Sequence, residues 1–118
     1  MIGQDEMQAL IEESIPELSG TIKKKNCKDA YEVVRQMLTY TTSQMLKHNM
    51  AAAQKCLTLA AKLYKKGNTT IKNAIENVYV YSFSHAFFHD EQRGREVMEI
   101  IPVPLYELYR KQVINSHL

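Results

Sequence analysis

A chain of 118 residues, 45% apolar and 24% charged, has the make-up of one globular domain with its own core, not of a fibrous, disordered or disulfide-stapled protein. A formal charge of +2 is too small to name a partner, and strong nucleic-acid binders usually show a larger, clustered basic excess, so nucleic acid is not an expected partner. The acidic start "MIGQDEMQAL", two cysteines outside any CxxC pair and no long apolar run predict no secretory leader, no membrane span and a reducing, cytoplasmic location.

With four glycines and three prolines, little punctuates the chain, and apolar residues recur at helical steps almost throughout. In the first segment Met7, Leu10, Ile11, Ile15, Leu18 and Ile22 form one apolar face. Pro16 interrupts it, because a proline inside a helix clashes with the carbonyl four residues back, and this predicts a kink or two short helices. The segment "DAYEVVRQMLTYTTSQMLKH" carries Ala30, Val34, Met37, Leu38, Thr41 and Met45 on one side, with Asn26 or Asp29 as its cap.

Asn49 then breaks the chain and caps "MAAAQKCLTLAAKLYKKG", whose stripe is Ala53, Cys56, Leu57, Ala60 and Tyr64. Cys56 is expected in the core and Cys27 near the surface. In "YKKGNTT", Lys65 and Lys66 complement a helix C-terminus and Gly67 suits the left-handed position just past it. Asn68, Thr69 or Thr70 caps the next helix. A tight hairpin between antiparallel helices is expected there.

The next helix is predicted from about Thr70 to about His89. A short piece, "DEQRGREVMEI", follows, weakened by Gly94. Pro102 and Pro104 then impose an extended approach to a closing helix bearing Leu105, Leu108, Tyr109 and Val113. Together these elements define a single all-α domain over residues 1–118. Five to six helices are expected, as an antiparallel bundle or a short two-layer array, with the 50–66 and 70–89 helices at the centre.

The candidate chemistry lies in "YSFSHAFFHDEQ", residues 81 to 92. Taken as an unbroken α-helix, the stripe of Ile71, Ile75 and Val78 runs on through Ser82, His85 and His89, and His48 shares the inward stripe of the second helix. Three inward imidazoles could hold a divalent transition metal and acidify a bound water, which is the metal-enzyme alternative: His48, His85 and His89. The simpler reading makes His85 a packed core residue, with His48 and His89 as favourable charges at helix C-termini. No cofactor is then required. Ser82, Ser84 and His85 lack a third triad member, and there is no phosphate loop, nucleophile elbow or HExxH. The lysines at 23 to 25, 28, 62, 65, 66 and 72 read as a solvated face.

The stretch "AAKLYKKGNTTIKNAIENVYVYSFSHAF", residues 60 to 87, resembles a segment of uncharacterised bacterial all-helical domains. Gly67, Asn68, Lys72, Asn73 and Ala74 carry the likeness. Similar hairpins occur in small helical immunity-type proteins that neutralise toxins by binding them. The resemblance implies an all-helical fold and no catalytic residue. The preferred reading is therefore a non-enzymatic protein-binding module, immunity-like or regulatory. Its expected surface combines Tyr79, Tyr81 and Phe88 with Tyr106 and Arg110, and a second copy of the chain is a candidate partner as well.

Overall fold

The computed structural model describes residues 1–116; it is 83% helical, with no strands among the described residues. The two short opening helices follow from Pro16. α1 spans Gln4–Ser14, and α2 spans Pro16–Lys24 with the proline at its first position, where no amide hydrogen is required. Met7, Ile11, Ile15, Leu18 and Ile22 are buried, so the predicted face survives the break.

α3 spans Ala30–Leu46, and Asp29 caps it by accepting from the Glu32 amide at 2.9 Å. α4 spans Met50–Lys66, capped by Asn49 through the Ala52 amide. Both α2 and α3 end in the same way. The Cys27 amide donates to the Ile22 carbonyl and the Asn26 amide to Lys23; the Asn49 amide donates to Gln44 and the His48 amide to Met45. This pairing puts Asn26 and His48 in the left-handed region, at φ 54° and 58°.

The turn after α4 holds the expected cap but a different glycine. Asn68 accepts from the Ile71 amide at 3.0 Å. Gly67, however, is extended, at φ −72° and ψ 162°, and not left-handed as the sequence suggested. What requires glycine is space: a Cβ there would lie 2.4 Å from the Leu63 carbonyl oxygen and 2.6 Å from Ile71 Cγ2. Ile2, near the N-terminus, presses against the same turn, donating to the Lys66 carbonyl and accepting from the Asn68 amide.

α5 (Thr69–Ala74), a π-helical turn (Ile75–Val80) and α6 (Tyr81–Phe87) then follow without a break. α7 spans Glu91–Ile100, capped by Asp90, and α8 spans Val103–Ser116. Counting Thr69–Phe87 as one rod gives seven helices among the described residues, more than the expected five to six. The excess comes from the proline break and from α7 being a full helix despite Gly94.

α4 is central, as expected: Ala53, Cys56, Leu57, Leu59, Ala60, Ala61 and Leu63 are all buried. The inward stripe of α3 closely matches its prediction, with Ala30, Val33, Val34, Met37, Thr41 and Met45 buried. No helix among the described residues is long and apolar enough to cross a membrane.

Candidate functional site

The π turn decides which side chains reach the core. A π turn takes one more residue than an α turn, so everything beyond it is set back by one position, about 100° of rotation. The inward slots assigned to Val78 and Ser82 pass to Tyr79 and Phe83, both buried. His85 and His89 are carried round to the outside and are exposed. The expectation that they continue the core stripe is therefore corrected.

Two aromatic columns result, each built on steps of four. The inner one runs Tyr79, Phe83, Phe87, with ring centroids 6.2 and 4.9 Å apart. The outer one runs Tyr81, His85, His89, at 4.5 and 5.7 Å. The inner column is packing; the outer one borders a cleft.

Tyr79 belongs wholly to the interior, which removes it from the expected docking surface. Its hydroxyl lies 2.6 Å from Thr41 Oγ1, and Thr41 in turn donates its one hydroxyl proton to the Met37 carbonyl at 2.9 Å. Tyr79 must then be the donor to Thr41. The Cys56 thiol approaches the same Met37 carbonyl at 3.7 Å. This chain of polar atoms ties the π turn to α3 and α4 and satisfies groups that would be costly to bury alone. Burial pushes the Tyr79 phenol well above its ordinary range and raises the Cys56 thiol.

The cleft lies between α6 and α8. It has a volume of about 290 Å³ and is lined by Tyr81, Ser84, His85, Phe88, His89, Tyr109, Gln112 and Val113. Phe88 stacks on Tyr109, 4.1 Å between centroids and 16° between planes, and this pair joins the two helices. Gln112 crosses back to the rod, its Nε2 donating to the Glu76 carbonyl of the π turn at 2.8 Å. Tyr81 stands 51% exposed at one edge. Tyr106 is half-buried, tilted beside Tyr109, and Arg110 is exposed on the neighbouring face of α8.

Of the five expected surface residues, Tyr81 and Phe88 line this cleft, Tyr106 and Arg110 lie on α8 outside its lining, and Tyr79 is buried. The metal set fares differently. His48 terminates α3 as an exposed left-handed residue and shares no inward stripe. Among the described residues, no three His, Cys, Asp or Glu side chains come together as a metal centre, so His48, His85 and His89 do not converge. Sequence reasoning missed Tyr109, Gln112 and Val113 as cleft residues, since Tyr109 and Val113 read as the core stripe of the last helix.

A family model matches residues 8–115 of the chain, and its description is Domain of unknown function (DUF7674). The chain belongs to that family. No curated protein and no solved structure matches the chain.

Proposed function

We propose that this domain is a non-enzymatic binding module that receives a protein partner at the α6–α8 cleft. The carrying observation is where the exposed apolar side chains fall. Of the seven large ones among the described residues, five belong to α6, α7 or α8: Tyr81, Met98, Val103, Val113 and Ile114. Two of the five, Tyr81 and Val113, line the cleft floored by stacked rings, the composition of a docking surface, where aromatics supply area and a polar rim supplies register.

An antiparallel bundle or two-layer array suits this role, because packed helices present a rigid face at small entropic cost. An immunity-like or regulatory protein acts by occupying its target, for which no catalytic group is needed. The two cysteines carry free thiols, which agrees with a reducing compartment such as the cytoplasm.

The test is site-specific photo-crosslinking in the native host, with the reactive side chain placed at Tyr81, at Tyr106, or at Thr58 in the separate cleft between α1 and α4. Adducts of one discrete mass from Tyr81 and Tyr106, absent from Thr58 and suppressed by Val113→Asp, are expected. Equal labelling from all three positions would defeat the reading.

A further inference from the structure

We infer that His85 and His89 form a two-imidazole site for a borderline divalent transition metal, of the zinc, nickel or copper kind. His85 lies in the last turn of α6 and His89 in the turn that follows it, four residues on, and both line the α6–α8 cleft. Their ring centroids are 5.7 Å apart and their planes differ by 38°. An ion bonded to two imidazole nitrogens at about 2.0–2.1 Å in tetrahedral geometry places the ring centres about 5–6 Å apart. The observed centroid separation lies within that range, so chelation requires the rings to turn without moving apart.

Three further features support the site. Both rings are exposed, so neither has to give up a core position to turn toward an ion. Tyr81 and His85 pack edge to face, with centroids 4.5 Å apart at 61°, so the His85 ring is held on one side by a neighbour. The remaining cleft residues are aromatic, apolar or neutral polar, with no carboxylate among them. Imidazole nitrogen donors without carboxylates select zinc, nickel or copper over magnesium or calcium.

The site owes its existence to the π turn. In an uninterrupted helix these imidazoles would fall on the Ile71 seam, as the sequence periodicity suggested. Turned outward, they line the cleft together, and a four-coordinate ion held by them keeps two positions for water or for a donor on whatever occupies the cleft. The inference stands on the pair's own geometry and does not require the docking proposal.

The experiment titrates the untagged chain with Zn²⁺ by calorimetry at about pH 8, above the ordinary range of imidazole protonation. A Ni²⁺ titration followed by NMR of the histidine ring protons runs beside it. One Zn²⁺ per chain is expected, with the His85 and His89 ring signals broadening together at low Ni²⁺. His85→Gln and His89→Gln should each weaken binding by about tenfold or more, while His48→Gln should leave it unchanged. Because both rings are exposed, these variants should fold as the parent does, which circular dichroism checks. Zinc binding that survives either single substitution, or its absence from the parent chain, would overturn the assignment.

Discussion

The Tyr79 hydroxyl donates to Thr41 Oγ1 across 2.6 Å, fastening the π turn to the middle of α3. Thr41→Val would leave the phenol buried without its acceptor, and Tyr79→Phe would leave Thr41 with only its bond to Met37. Each should lower unfolding free energy by about 1–2 kcal/mol. In the double variant the loss should be smaller than the sum, because neither orphan remains. Urea denaturation of the four proteins measures this; strict additivity would mean that the two groups do not interact.

The pH dependence follows from the same cluster. Burial raises Cys56 above the ordinary 9.0 of a thiol and Tyr79 well above the ordinary 10.0 of a phenol. As pH climbs past those ordinary values, the unfolded chain releases protons that the folded chain keeps. The folded state then binds more protons, and stability must fall with rising pH. Full stability is expected below the thiol value, with a decline beginning there and steepening through the phenol range. Urea midpoints between about pH 8 and about pH 11 should show it, with a shallower slope in Tyr79→Phe. A flat profile would show that these groups titrate alike in both states.

Two glycines should respond in opposite directions. Gly67→Ala drives a methyl into the Leu63 carbonyl oxygen and Ile71, and should cost about 1–3 kcal/mol. Gly20 lies inside α2, and a Cβ added to it would meet nothing within 4 Å, so Gly20→Ala should stabilise by about 0.5–1 kcal/mol. Thermal melts of both variants are sufficient. A tolerated Gly67→Ala would contradict the tight contact between the α4 terminus and Ile71.

The thiols offer a reading without mutation. Cys56 is fully buried, whereas Cys27 is half-buried near the end of α2. An aromatic disulfide reagent should therefore modify Cys27 in the folded protein and reach Cys56 only when the whole domain opens. Equal rates at the two positions would indicate that α4 is not the centre of the fold.

Much of this architecture was legible because helical periodicity and capping residues act locally. Asn49 caps where the sequence placed it, Asp29 and Asn68 are each one of the caps the sequence offered, and the α3 stripe gains Val33 and Gln44 while Leu38 is only partly buried. The π turn was not legible. Nothing in "IENVYV" distinguishes it from an α-helical stretch, and the extra residue is accommodated by Tyr79 reaching Thr41, 38 positions earlier in the chain. A long-range hydrogen bond has no local signature, so angular placement held up to Ile75 and failed beyond it. His48 failed for another reason. Helical spacing makes it the last residue of a stripe, although the following Asn49 cap makes it the left-handed closure of α3.

The cleft was half legible for the same reasons. Tyr106 and Arg110 stand on α8, whose placement does not depend on the rod's register, whereas Tyr81 and Phe88 follow the π turn and do depend on it. Tyr79 looked equivalent to Tyr81 in sequence. Two residues apart on a helix, they point to different sides, and only the position of the π turn decides which one meets the core.

That rotation is most directly tested by diethylpyrocarbonate modification of the histidines, read residue by residue by mass spectrometry. In the folded protein, His85 and His89 should react about as fast as in the urea-unfolded chain. Protection of both until unfolding would place them back on the inner seam, and the rotated helix, with the cleft it opens, would have to be abandoned.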